Sequence, residues 1–384
     1  MTDLSALTAA TAQLDPPLVA LDLTALDANA ADLVRRAGGK PVRVASKSVR
    51  CRFVLERMLA RPDFGGVMGY SLREALWLVS CGVSDVLLGY PTADRGALAE
   101  LAADRNALDA ITLMVDGIEQ LDLIVAATNG ACVRVCLDVD ASLRIGRLHL
   151  GVRRSPLRTP ADAAAVAAAA VDRGLRVVGV MFYEAQIAGL QDTSPAVRLV
   201  KKRSAAELAN RRGEVVAAVE KAAGGALELV NSGGTGSLEI SSADSSVTEV
   251  TAGSGLYVPT LFDRYDSFQP NPAMYFALPV VRRPSDDIAT LLGGGYIASG
   301  PAGKSRVPRP VADGLDLLGT EGAGEVQTPV RGPGAAGLHV GDRVWFRHAK
   351  AGELCERFDT VHVVDGSALV ESVPTYRGEG KSFG

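Results

Sequence analysis

Lys47 ends a short apolar run, residues 42–46, and a primary amine at the carboxyl end of a strand is placed for covalent carbonyl chemistry. Taken alone, it is also what a solvated surface lysine looks like. Two glycine-rich runs further along change the balance. Asn231-Ser232-Gly233-Gly234-Thr235-Gly236-Ser237 follows one apolar strand, and Thr251-Ala252-Gly253-Ser254-Gly255 follows the next. Glycine lets backbone N–H groups approach an anion closely, and the hydroxyls of Ser232, Thr235 and Ser237 add donors. Neither run is a nucleotide fingerprint, since no GxGxxG opens a helix and no Walker lysine follows. A strand-end amine combined with two anion loops suits pyridoxal phosphate, whose aldehyde and phosphate would be held at opposite ends.

The elements that must position these groups repeat along the chain. Short apolar strands at 42–46, 66–68, 86–89, 112–115, 133–138, 177–181, 228–231 and 246–251 alternate with stretches at helical spacing, such as 72–80, 117–127, 160–173 and 204–223. Eight strand–helix units over about 230 residues predict a (β/α)8 TIM-like barrel. In such a barrel Lys47, Tyr70, Tyr90, Arg144, Tyr183 and the loop from Ser232 share one rim. After about residue 270 the texture changes to Gly- and Pro-rich sequence with short β-rich pieces at 280–282, 296–298, 338–346 and 360–364. This predicts a mainly β C-terminal domain. The expected division is a barrel over 17–270 and a β domain over 271–384, which residues 1–16 could join. Residues 319–337 read as an exposed loop.

Composition narrows the class of function. The 384 residues are 47% hydrophobic and 22% charged with a net charge of -4, so nothing favours nucleic acid or an anionic membrane surface. The longest apolar run, 163–171, is too short to span a bilayer, and the amino terminus lacks a basic and then apolar leader. A cytoplasmic address is the expectation. Five scattered cysteines without a CxxC pair predict reduced thiols, with Cys132 and Cys136 packed on one strand face.

Several pieces, in order, resemble the fold-type III pyridoxal-phosphate enzymes, and within them the group of D-threonine aldolase and D-serine dehydratase, with alanine racemase more distant. They are residues 18–23 with Leu26 and Asn29, the Lys47 segment, Glu74-Ala75 with Gly82, residues 87–91, Arg144-Ile145-Gly146, residues 179–189, Asn231 to Ser237, and Thr248-Glu249-Val250 with Gly253 and Tyr257. The resemblance implies that Lys47 is the Schiff-base lysine and that Arg144 contacts the cofactor's phenolic oxygen. It implies that Tyr183 lies beside the cofactor, with Gln186 as a nearby polar contact. It also implies that Ser232, Gly233, Gly234 and Thr235 form the first phosphate-binding segment, and Gly253, Ser254 and Tyr257 the second.

The departure lies in the β domain. The group carries a His-x-Asp or His-x-Cys metal pair there, whereas this chain has His348-Ala349-Lys350. A protonated amine cannot ligate a metal, so no metal ligand is assigned and a divalent metal is doubtful. On a strand His348 and Lys350 would face the same way, which makes both candidate catalytic groups beside Lys47. The expected activity is that of a pyridoxal-phosphate-dependent lyase. It acts on a small D-configured β-hydroxy amino acid by retro-aldol cleavage or dehydration, in a homodimer with a composite site. An amino-acid racemase is the alternative reading, and a non-catalytic pyridoxal-phosphate carrier the second. His149, His339 and His362 read as surface or structural.

Overall fold

The computed structural model describes residues 4–383; residues 1–3 and 384, which the expected domain spans include, lie outside the described residues. The chain separates into two compact units. One comprises residues 33–46, 57–252 and 383, the other residues 4–32, 47–56 and 253–382.

In chain order, β1 (Leu18–Asp22) is followed by β2 (Val42–Ala45), β3 (Phe64–Gly69), β4 (Val86–Leu88), β5 (Ile111–Val115) and β6 (Arg134–Val139). A two-stranded hairpin of β7 (Leu143–Ile145) and β8 (Leu148–Leu150) comes next, then β9 (Arg176–Phe182), β10 (Leu229–Ser232) and β11 (Glu249–Ala252). Strands β2 to β6 and β9 to β11 pair in parallel and close into an eight-stranded barrel, the ring being completed where Val250 of β11 meets Val42 of β2. These are the eight strands expected from the sequence. Several of them, β2, β4, β5, β10 and β11, are buried at every position. One face lines the barrel interior and the other meets the helices, which is why they read as continuous apolar runs. Leu87, Met114, Cys136, Met181 and Leu229 form one packed cluster contributed by β4, β5, β6, β9 and β10.

Local signals set the helices between the strands. Thr159 and Asp162 form a reciprocal capping box at the start of Pro160–Asp172, with proline in the first turn. Ser194 caps Pro195–Ala223, which ends at Gly224 in the left-handed region (φ 79°), so this helix begins nine residues before the expected position 204. Cys136 is buried but Cys132 is exposed, contrary to expectation, because β6 starts only at Arg134.

The second unit is built on a nine-stranded sheet from β1, β12 (Met274–Ser285), β13 (Ile288–Leu292), β14 (Arg309–Pro310), β15 (Asp316–Leu317), β16 (Gln327–Arg331), β17 (Arg343–Arg347), β18 (Thr360–Asp365) and β19 (Ala368–Pro374). The segment 319–337 therefore contains a strand, and Tyr296 to Ala298 is loop. β1, expected within the barrel span 17–270, instead lies between β12, antiparallel, and β18, parallel. Residues 253–270 also fall in this unit. The helix Leu4–Ala10 covers one face: Leu7 packs with Leu18, Tyr275, Trp345 and Val364, and Trp345 Nε1 donates to Thr8 Oγ1 at 2.9 Å.

Candidate active site

The candidate residues fall into two groups, one in each unit. In the barrel unit they follow the carboxyl ends of β6, β9 and β10, where parallel barrels carry their reactive groups. Tyr183 comes directly after β9 and is half-buried. The Arg154 guanidinium stands 5.6 Å from its ring centroid and 6.0 Å from that of Tyr90, a cation shared by two aromatic faces. Arg154, Tyr183, Ser155, Met181 and Asp138 line a small cavity of about 20 Å³. Burial, reinforced by the Asp116 carboxylate, pushes the Asp138 carboxyl up to about 7, partly opposed by Arg154.

Arg144, expected at the cofactor, is tied to the edge of this cavity through Asp140, which also lines it. It is exposed on the β7–β8 hairpin and donates to Asp140 Oδ2 at 2.6 Å. The cation over the rings of Tyr90 and Tyr183 is Arg154, ten residues on, beyond the β7–β8 hairpin. Gln186 is buried and donates to the Ala141 carbonyl at 2.7 Å, so it ties the loop after β6 to the helix after β9.

The glycine loop after β10 packs against Tyr183: a Cβ built on Gly234 would stand 2.9 Å from Ala188 Cβ and 3.4 Å from the Tyr183 ring. Gly233 has φ 94°, which an L side chain rarely adopts. Ser232 and Gly233 are nevertheless turned inward. The Ser232 hydroxyl donates to Glu184 Oε2 at 3.0 Å while accepting from Arg212, and the Gly233 N–H points at the same oxygen, 3.4 Å away. Ser237 donates to Glu184 Oε1 at 2.8 Å, and Ser241 donates there too. A fully buried carboxylate thus organises the loop from behind, a role sequence reasoning missed. The Gly234 N–H donates to Ser237 Oγ at 3.1 Å, and Thr235 is buried with its carbonyl accepting from Arg36 at 2.6 Å.

In the sheet unit, Lys47 occupies a short 3-10 turn, Ser46–Ser48, two residues beyond the last residue of β2. Its carbonyl accepts from Arg50 Nε at 3.2 Å, and the Val49 carbonyl accepts from the Tyr257 hydroxyl at 3.0 Å. Tyr257, expected at the phosphate, is fully buried, and its hydroxyl holds the backbone two residues beyond Lys47. Gly253 and Ser254 open the short helix Ser254–Tyr257. Gly352, at φ 88°, packs directly on the turn: a Cβ there would overlap the Lys47 carbonyl oxygen.

The loop that carries Gly352 also carries His348 and Lys350. With Tyr296, Glu353 and Glu356 they line a cavity of about 70 Å³. His348 is only 2% exposed, and its ring lies against the Met274 backbone. Burial, with the Arg347 charge beside it, lowers its pKa to about 3, so the imidazole is neutral near pH 7. β17 ends at Arg347, so the two residues are not strand neighbours as expected, yet both reach the same cavity. Lys350 Nζ donates to Ser299 Oγ at 2.7 Å. Cys355 is buried, with its thiol pKa pushed up by burial. Among the described residues no group of three or more His, Cys, Asp or Glu could hold a metal.

Comparison of the whole structure with solved ones places this arrangement. A D-threonine aldolase from Filomicrobium marinum superposes with a TM-score of 0.81 at 23% identity, over 96% of each chain. The fold is that of the alanine-racemase barrel proteins. A D-threo-3-hydroxyaspartate dehydratase from Delftia sp. HT23 matches with a TM-score of 0.75 at 21% identity, over 94% of this chain and 97% of that one. An alanine-racemase-like protein from Idiomarina loihiensis matches at 0.73 and 16% identity, over 95% and 97%. No protein-family model and no curated protein sequence matches the chain. The resemblance expected from the sequence thus holds in the fold, with both the barrel and the sheet unit of the alanine-racemase fold present. No helix among the described residues is long and apolar enough to cross a membrane.

Proposed function

We propose that this chain is a pyridoxal-phosphate-dependent lyase acting on a small D-configured β-hydroxy amino acid. The observation that carries the reading is the Lys47 turn: a primary amine just past a barrel strand, on a backbone held by Arg50, Tyr257 and Gly352, beside a loop that bears a buried neutral histidine. The residues fit the cofactor. Arg154 over Tyr90 and Tyr183 suits the edge of a flat, anionic ring, and the glycine-rich run 233–236 after β10 is of the composition that lets backbone N–H groups approach a phosphate. Bound pyridoxal phosphate supplies an electron sink for the electrons released at an amino acid's α-carbon.

The protein's own groups do the rest. Lys47 offers the amine that condenses with an aldehyde and, once displaced by a substrate amine, a base for the α-proton. Neutral His348 accepts or relays the proton of a β-hydroxyl from the wall of this cavity. Lys350 contributes a fixed positive charge in the same cavity. A divalent metal does not fit, because the position two after His348 is an ammonium that donates to Ser299. A cytoplasmic address and a homodimer with a composite site belong to the same proposal. Racemization is the weaker reading, for lack of a second base identified opposite Lys47.

The test adds pyridoxal phosphate to the protein and follows the long-wavelength absorbance band, then reduces with borohydride and maps the adduct by peptide mass spectrometry. The adduct is expected on Lys47 and absent in Lys47→Ala. D- and L-threonine, serine and alanine are then supplied with and without chelator. Glycine plus an aldehyde reports cleavage, and a 2-oxo acid plus ammonia reports dehydration. The opposite enantiomer alone, or no band with wild type, overturns the proposal.

A further inference from the structure

Arg50 touches both the Lys47 turn and the wall of the His348 cavity through a single side chain. Its Nε donates to the Lys47 carbonyl, and its guanidinium is ion-paired with Glu356, which lines the cavity. The side chain is largely buried, at 13% exposure, while that of Glu356 is 46% exposed. Its backbone is unusual: at φ 48° Arg50 is one of three non-glycine residues in the left-handed region among those described. A side chain disfavours that conformation, which persists where the surroundings over-determine it. Here the surroundings do so, since the Arg50 carbonyl accepts from the Tyr376 N–H at 2.9 Å and the preceding carbonyl from Tyr257. Nothing about holding a surface loop requires one guanidinium to span these two places.

We propose that Arg50 is a positioning residue for Lys47, a strut that sets the Lys47 turn against the Glu356 wall so that the two move as one body. The proposal rests on Lys47 being the cofactor lysine only for its consequence in cofactor capture; the strut itself is a statement about the backbone. A fork with two bonds is needed. A lysine at position 50 brings a single nitrogen, without the spaced Nε and Nη1 by which the arginine fork reaches the Lys47 carbonyl and Glu356 separately.

The experiment compares wild type, Arg50→Gln, Arg50→Lys and Glu356→Gln by amide hydrogen exchange without cofactor, with thermal unfolding as a check on global stability. Glu356→Gln changes a residue far along the chain from the turn. Its expected effect is exchange at least tenfold faster in the peptide spanning 46–51 as well as in the one spanning 352–357, at a nearly unchanged melting temperature. Arg50→Gln is expected to reproduce both changes. Acceleration confined to 352–357 in Glu356→Gln overturns the strut. If the variants lose global stability, the Arg50→Lys protein decides: it should regain the melting temperature while the 46–51 peptide stays fast, and recovery of both overturns the proposal. A second arm measures the rate at which pyridoxal phosphate forms the reducible Lys47 adduct, expected to be at least tenfold slower in Arg50→Gln and Arg50→Lys. If wild type forms no adduct, the cofactor reading fails while the exchange result still judges the strut. If wild type forms the adduct and all variants match it, the positioning role fails.

Discussion

Replacing Asp138 with asparagine should stabilise the barrel unit above neutral pH and leave it nearly unchanged in acid. The Asp138 carboxyl is 9% exposed, and burial together with the Asp116 carboxylate raises its pKa from 3.8 to about 7. A raised folded-state pKa means that the folded protein binds the proton more tightly than the unfolded chain. The stabilising contribution is therefore full below pH 3.8 and is lost as pH rises through 7. Each pKa unit corresponds to about 1.4 kcal/mol, so the shift amounts to roughly 4 kcal/mol between the two ends of the window. Asparagine is nearly isosteric and always neutral, so it removes this pH-dependent cost without opening a cavity. The assay is urea denaturation of both proteins at pH 4 and pH 8. The stability difference, variant minus wild type, should move in the variant's favour by about 3–4 kcal/mol from the lower pH to the higher. A difference that is the same at both pH values would refute the reasoning, because the carboxyl would then ionise as it does in water.

Two further outcomes follow from single contacts. Gly352→Ala places a Cβ on the Lys47 carbonyl at a backbone φ of 88°, so about 3 kcal/mol of destabilisation is expected from overlap and left-handed strain together, measured by thermal unfolding. Glu184→Ala leaves the Ser232, Ser237 and Ser241 hydroxyls and the Gly233 N–H without their shared acceptor; a loss of about 3–5 kcal/mol is expected, and a loss below about 1 kcal/mol would show that the loop does not depend on it.

The barrel was legible in the sequence because parallel strands buried on both faces leave dense apolar runs at regular intervals. All eight were visible for that reason. The pairing of β1 was not legible, since its partners in β12 and β18 are some 250 and 340 residues away and an apolar strand looks the same in either sheet. Arg144 and Arg154 illustrate a second limit. Both are arginines after β6, and only the path of the β7–β8 hairpin decides which one reaches Tyr90 and Tyr183. Glu184 shows a third: a carboxylate beside a tyrosine carries no mark of burial until serines 48, 53 and 57 residues later close over it. Lys47 and His348 stand out in the sequence because their chemistry is carried by residue type. What the three-dimensional structure added is that Gly352 joins their two segments.

The position of β1 in the middle of the sheet also constrains how the protein is made. Its hydrogen-bonding partners are β12 on one side and β18 on the other, so during synthesis β1 emerges first and must wait for nearly the whole chain. The barrel strands, all between residues 42 and 252, can close long before that. Until β18 arrives, β1 has one unpaired edge, which other chains could engage. The sheet unit thus depends on the most non-local pairings, the kind that form slowly, and Lys47 belongs to that unit.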